Sequence, residues 1–331
     1  MTWFQDLFGF AERDADTTRA GFDLEGTVLR SRANGRGFDA GRFETPTLAE
    51  LRVRAGDRTG SARVRHEAIG DVLELHADPR NADAMFQVAS QLNCLEFAGP
   101  EMTPEDGVTP YASDPTQGPA CALAAAAATV YRNDFVPFGD RRGQTKDRQL
   151  NNLADAAALL GPADAVLSVR NGYAFSDADR LARSGPALAA AGRETFIDRL
   201  RIGVQTRAQV TFARRFVEPA APSFVSQAFC SALSVGYDRE PASAWAPLAT
   251  AVLDGAYEAT LHAARAGVRD GTCSGVVWLT FLGGGAFGND PAWIAAAIAR
   301  ALRVGGDASL DVRIAHYREI NASLREAIDA G

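Results

Sequence analysis

Residues 277–294 read VWLTFLGGGAFGNDPAWI, and this stretch decides the fold. Apolar and β-branched residues enter three consecutive glycines, as a buried strand does when it ends in a tight loop. Glycine lets the backbone take positive φ and approach another group closely. Asn289 and Asp290 are N-cap candidates for a helix that starts near Pro291. Strand, glycine loop and helix N-terminus together form a cradle for a phosphate or diphosphate, because free amides and the positive helix end point at the loop. The lysine-serine or lysine-threonine pair of a P-loop is absent after Gly288. The G-x-G-x-x-G pattern matches formally at Gly283, Gly285 and Gly288, but this loop lies near the C-terminus rather than in a first βα turn. A bare strand-to-helix turn is the alternative reading.

Working outward, strands and helices alternate on both sides of this loop. WAPLATAVLDGAYEATLHAARAG (245–267) is a long helix that Gly267 is placed to stop, and SLDVRIAHY (309–317) is a last strand. SFVSQAFCSALSVGY (223–237) and DAMFQVASQLN (83–93) read as buried strands, and residues 62–78 as one or two more. PACALAAAAATVYRN (119–133) is a helix with Pro119 in its first position. Residues 140–200 are mostly helical, with a strand and turn inside them. Thr47 and Glu50 form a capping box, and Ser176 with Asp179 a weaker one. The alternation implies an α/β fold whose mixed or parallel sheet is covered on both faces. Ligands of such sheets bind beyond the carboxyl ends of the strands, where this loop sits.

The net charge of −7 over 331 residues argues against a nucleic-acid partner. No apolar run is long enough to span a membrane, and the N-terminus lacks the pattern of a signal peptide. Cys94, Cys121, Cys230 and Cys273 form no CxxC and stand at no zinc spacing with the four histidines. Reduced, buried thiols, a cytoplasmic compartment and no structural metal are expected. Cys94 and Cys230 read as small buried residues rather than nucleophiles, and Glu258 as a surface charge on its helix.

The helix, strand, glycine loop and second helix at 257–302 resemble the C-terminal third of a macrodomain, where the strand ends in the second phosphate-binding loop. Gly285-Ala286-Phe287-Gly288 is similar to the aromatic turn of that loop. FQVASQLNCLE (86–96), TPEDGVTPYASDPTQGPACA (103–122), TVYRN (129–133), QAFCSAL (227–233) and LGGGAFGN (282–289) resemble a divergent, MavL-like branch of that superfamily, which includes an ADP-ribosylhydrolase acting on arginine. The likeness covers nearly all of residues 1–317. It implies a macrodomain-like three-layer α/β/α fold with a mixed central sheet, occupying 61–320. A 1–60 accessory segment packs on this core, a helical insertion lies at about 140–200, and 321–331 forms a tail.

Ordinary macrodomains carry a glycine run in the first loop. Here residues 94–117 are instead long and acidic, with Glu96, Glu101, Glu105, Asp106 and Asp114, so catalytic roles do not transfer. Cleaving the bond to a distal ribose builds positive charge on the sugar ring. A carboxylate can stabilise that charge or activate water, and a second can protonate or bind the leaving group. An acidic loop beside an anion cradle makes sense if it addresses the ribose and a cationic leaving group. Asp106 and Asp114 are the favoured catalytic residues, in a stiff string beside Gly107 and Pro115, with Glu105 third. Glu96 reads as ambiguous after Cys94 and Leu95, a cap or salt-bridge partner.

Ligand contacts are expected from Gln91 and Asn93 at the first strand's end, and from the helix start Gln117-Gly118-Pro119-Ala120. On the other side they are expected from Gly283, Gly284, Gly285, Ala286, Phe287, Gly288 and Asn289. Asp71 resembles the acidic residue that reads the adenine amino group, and Tyr317 the residue placed against adenine. Tyr131-Arg132-Asn133 reads as structural.

The leading function is that of an ADP-ribosylhydrolase whose partner is ADP-ribose or an ADP-ribosylated protein, with arginine as a candidate linkage. The alternatives are a non-catalytic ADP-ribose reader and a hydrolase of a free ADP-ribose derivative. No cofactor is required. Loop carboxylates beside a diphosphate have the chemistry to hold Mg²⁺, but the spacing does not demand it. The sequence leaves the oligomeric state open.

Overall fold

The computed structural model describes residues 1–211 and 222–331. Seven strands form the central sheet: β1 (Arg42–Glu44), β2 (Arg63–Ile69), β3 (Met85–Ala89), β4 (Gly203–Val210), β5 (Ser223–Cys230), β6 (Val276–Leu279) and β7 (Asp311–Tyr317). Their order is β1-β4-β5-β3-β6-β7-β2. The run β5-β3-β6-β7-β2 is parallel, while β4 pairs antiparallel with both β5 and β1. The sheet is therefore mixed, as expected.

Alternation along the strands builds the two flanking layers, because successive side chains point to opposite faces. Phe86, Val88, Val225, Phe229 and Trp278 face one side. Helices α2 (Val72–Ala77), α3 (Gln117–Ala124) and α4 (Ala126–Val130) lie there. Met85, Ala228, Cys230, Val277, Leu279, Val312 and Ile314 face the other side. That side carries α1 (Leu48–Ala55), α7 (Ala242–Arg269) and α8 (Pro291–Gly305). The insertion adds α5 (Ala178–Ala191), α6 (Arg193–Arg199) and a hairpin of Ser168–Arg170 with Tyr173–Phe175. Residues 322–330 form a last helix whose Ile328 is buried.

Residues 1–40 form a further layer outside α3 and α4. Trp3, Phe4, Leu7, Phe8, Phe22 and Phe38 share one core with Leu95, Phe97, Val108 and Tyr111 of the acidic loop and with Ala126 and Val130. Among the described residues no helix is long and apolar enough to cross a membrane.

Several local expectations are corrected. Residues 62–78 hold one strand and a helix, because Asp71 caps α2 by accepting from the Leu73 amide. Thr116, not Gly118, stands at the N-cap of α3, so Pro119 occupies its third position. The alanine-rich helix breaks at Ala125 (φ −120°) and ends in a wide turn over Tyr131–Phe135. The long helix continues past Gly267, whose missing side chain admits Cys273 instead. The cap of α5 is Asp177, which accepts from Arg180, not Ser176. Glu258 is buried rather than exposed, and holds Arg52 at 2.6 Å and Arg300 at 2.5 Å. Burial opposes its ionisation, but hydrogen bonds from His262, Arg52 and Arg300 outweigh this and pull the carboxyl down to about 2. The Thr47–Glu50 capping box forms as expected.

Candidate active site

The parallel strands β5, β3 and β6 deliver three loops to one end of the sheet. A cavity of about 230 Å³ opens between these loops. One wall is the glycine loop: Gly283, Gly285, Ala286 and Phe287 line it. The opposite wall comes from the acidic loop and the start of α3, with Glu96, Asp114, Gln117, Gly118 and Pro119. Its floor includes Ala89, Cys230 and Thr280.

The glycine loop is a self-bonded turn. Gly284 donates to Phe281, Gly288 to Gly285 and Asn289 to Gly283 through backbone amides. Among the described residues, the amides of Gly283, Gly285, Ala286 and Phe287 donate to no protein acceptor. Asp290 caps α8 by accepting from Ala292, and Pro291 opens the helix. The glycines serve different ends. At Gly283 (φ +70°) a Cβ would meet the Ala232 Cβ at 2.5 Å and the Asn289 Nδ2 at 2.6 Å. Gly288 (φ +66°) lies against the Gly236 backbone. A Cβ on Gly285 would meet nothing within 4 Å. The fold therefore needs Gly283 and Gly288, whereas Gly285 leaves open cavity.

On the facing wall, α3 begins without a side-chain cap, so the amides of Gln117 and Gly118 are left as helix-end donors. Gly118 is required by packing, since a Cβ would lie 2.0 Å from the Ala89 carbonyl. The Gln117 side chain is spoken for: it accepts from the Ala89 amide and donates to the Gln87 carbonyl. Gln91 closes the loop on Phe97, accepting from its amide and donating to its carbonyl.

Glu96 is the unexpected member. It is 1% exposed, and among the described residues neither carboxyl oxygen makes a hydrogen bond. Arg132 Nη2 stands 3.5 Å from Oε2. The guanidinium spends its other contacts on the Cys94 carbonyl, Thr129 Oγ1 and the face of Phe229. Burial lifts the Glu96 carboxyl well above the usual carboxylate range, and the charge of Arg132 offsets this only in part. A carboxyl held neutral at ordinary pH is suited to donate a proton. Asp114 is half-buried and accepts from the Thr116 amide. Tyr173 and Tyr237 complete the cavity beside Phe287, with ring centroids 5.0–5.7 Å apart.

The other expected residues lie elsewhere. Asp106 turns its carboxylate back onto the amide and hydroxyl of Thr103. Glu105 is exposed near the Lys146 amide. Asp71 caps α2. Asn93 is fully buried, accepting from Leu95 and donating to Gln149. Asn289 is buried too and donates to the Leu233 carbonyl. Ala120, Gly284 and Gly288 do not line the cavity. Tyr317 ends β7, 68% exposed, with Arg318 over its ring.

Sequence reasoning left Glu96 ambiguous, as a cap or salt-bridge partner, and passed over Tyr173 and Tyr237. A carboxylate between Leu95 and Phe97 was the available sign of burial. Nothing local ties Tyr173, in the insertion, to this end of the sheet.

No protein-family model matches the chain, and no curated protein does. Among solved structures the chain is similar to poly(ADP-ribose) glycohydrolase from Deinococcus radiodurans in complex with ADP-ribose, at 14% identity over 97% of each chain and a TM-score of 0.46. It is also similar to the poly(ADP-ribose) glycohydrolase from Thermomonospora curvata, at 15% identity over 96% of this chain and 97% of that one, with a TM-score of 0.42.

Proposed function

We propose that the chain is an ADP-ribosylhydrolase that cleaves the bond between the distal ribose of ADP-ribose and a protein side chain. One observation carries this reading. Glu96 is a buried carboxyl with no hydrogen bond, in a cavity whose facing wall offers unpartnered backbone amides. A bare turn needs neither. The amides of 283–287 and the start of α3 suit a diphosphate. The carboxyls then meet the adjoining ribose. The likeness of the sequence to the MavL-like branch agrees with this assignment.

In the proposed reaction the C–N bond at the anomeric carbon breaks as positive charge builds on the ring. Glu96, neutral at the start, gives its proton to the leaving nitrogen. The Asp114 carboxylate balances the ring charge. Water adds to the anomeric carbon, and its proton restores Glu96. The leaving group we infer is the guanidinium of arginine, because Tyr173, Tyr237 and Phe287 offer ring faces beside a carboxylate. Adenine would extend past Phe281 towards Tyr317. The steps require no metal, so turnover should persist in EDTA.

The test is calorimetric titration with ADP-ribose, AMP and ribose 5-phosphate, followed by turnover of an ADP-ribosylated arginine peptide. ADP-ribose is expected to bind far more tightly than either fragment. Glu96→Gln should lower turnover by about 10³-fold while ADP-ribose affinity stays within about threefold. Binding without cleavage by the wild type would make the chain a reader. A lack of binding would leave the glycine loop a bare turn.

A further inference from the structure

Residues 1–40 lie outside the three layers and contribute nothing to the cavity lining, yet two of their side chains hold the acidic loop at Val108 and Thr109. Glu12 accepts from two consecutive amides, Val108 at 2.9 Å and Thr109 at 2.6 Å, across 96 residues of sequence in the first case. Trp3 Nε1 donates to the Thr109 carbonyl at 2.9 Å. The Thr109 residue is thus gripped at both its N–H and its C=O. Gly107 (φ +74°) leaves the room that this needs, since a Cβ there would lie 2.4 Å from the Glu12 carboxyl carbon.

The gripped residue starts a single 3₁₀ turn, Thr109–Ser113. That turn bears on both cavity carboxyls. Tyr111, at its centre, accepts the Glu96 amide on its hydroxyl at 2.9 Å. Asp114 ends the turn, donating its amide to the Tyr111 carbonyl, and its side chain accepts from Thr116 just before α3. A carboxylate on two adjacent amides at the start of a turn is a charge-assisted cap, about twice as strong as a neutral contact. Carboxylate geometry matters steeply in catalysis, where a displacement of about 1 Å can cost about 10²-fold in rate.

We propose that the N-terminal segment is a strut of the active site: Glu12, aided by Trp3, is a positioning residue that sets Glu96 and Asp114 through the turn at 109–113. The proposal rests on the hydrolase reading above, and it gives the first forty residues a role in turnover rather than in covering the core. Glu12 touches no substrate, so its loss should appear in kcat and not in affinity for ADP-ribose, whose diphosphate rests on backbone amides of the glycine loop and of the start of α3, to which Glu12 makes no bond.

The experiment compares wild type, Glu12→Gln, Glu12→Ala and Trp3→Phe in the full chain. It measures kcat and KM on an ADP-ribosylated arginine peptide, and the affinity and stoichiometry of ADP-ribose binding by calorimetry. Glu12→Gln keeps one acceptor and should lower kcat by about tenfold. Glu12→Ala keeps none and should lower it by about 10²-fold. Trp3→Phe should lower it about threefold. In each, KM and ADP-ribose affinity should stay within about threefold, with stoichiometry near one. A purely structural role would instead lower the stoichiometry and leave kcat per binding site unchanged, and that result overturns the proposal. If Glu12→Ala fails to fold, the Glu12→Gln ratio decides alone. A wild type that hydrolyses nothing overturns the functional reading and the strut's role with it. An active wild type with an unaffected Glu12→Gln overturns the strut alone.

Discussion

The two walls of the cavity are built in opposite ways. The glycine loop spans six residues and is bonded mostly within itself: three backbone bonds run between 281 and 289, and one more comes from the Gly236 amide to the Phe287 carbonyl. The acidic loop spans two dozen residues; it makes short turns of its own, and distant side chains hold those turns in place. Glu12 and Trp3 hold Thr109, Arg132 holds the Cys94 carbonyl, Gln144 the Asn93 carbonyl, Tyr173 the Phe97 carbonyl, Asn171 the Pro100 carbonyl and Asn133 the Pro104 carbonyl. A long irregular loop must have its backbone groups satisfied by something, and here distant side chains do it. One wall is mostly local; the other depends on many distant parts of the chain.

The sharpest way to break this contrast is at Asp114. If the acidic wall carries the chemistry and the glycine wall only binds, Asp114→Asn should lower turnover of the arginine-linked peptide by about 10³-fold. ADP-ribose affinity, read by calorimetry, should stay within about threefold. Equal losses in both measurements would show that the two walls do not divide the labour.

Acid should strike the acidic wall first. His76 is fully buried on α2, stacked on Phe86, and donates from Nδ1 to the Val72 carbonyl. Its Nε2 therefore accepts from Gln227, whose amide also donates to the Cys121 carbonyl of α3. Burial pushes the imidazole down to about 4. The unfolded chain, titrating near 6.5, then binds more protons between these values. The His76 contribution to stability is intact above about pH 6.5 and is lost as the pH drops, by about 3 kcal/mol at pH 4. Denaturant titration at stepped pH measures this, and His76→Gln should flatten the slope. Hydrogen exchange should rise in 105–130 before it rises in 276–290.

The smallest effects separate glycines within one loop. Gly283→Ala forces a Cβ into Ala232 and Asn289 at positive φ, and should cost about 2 kcal/mol in thermal unfolding. Gly285→Ala meets no protein atom, so it should leave stability unchanged and weaken ADP-ribose about tenfold, or about 1.4 kcal/mol. If Gly285→Ala loses stability while binding stays intact, the loop serves the fold alone.

How legible each wall was follows from its construction. The strand, turn and helix at 277–305 could be read because every determinant lies within the stretch: apolar run, glycines, Asp290 and Pro291. The mixed sheet followed from alternation. The capping box at Thr47 and Glu50 was likewise local. On the acidic wall, the sequence offered five carboxylates but no means of ranking them. Asp106 and Asp114 look alike in the string EDGVTPYASD, yet Asp106 turns back on Thr103 while Asp114 lines the cavity. Glu96 owes its character to Arg132, Tyr111 and Gly118, each at least 15 residues further along the chain.

Gln117 carries one further consequence. Its side-chain amide binds β3 at Ala89 and Gln87 as a neighbouring strand's peptide would, so the chain leaving at Ala89 and the chain returning at Gln117 are clasped together. The closed loop between them is a cassette. A change in its length costs little closure entropy, which grows only with the logarithm of length, and the two bonds of the clasp involve no residue of the loop between its ends. A fold with such a clasp can exchange one set of chemical groups for another without rebuilding the floor on which they stand.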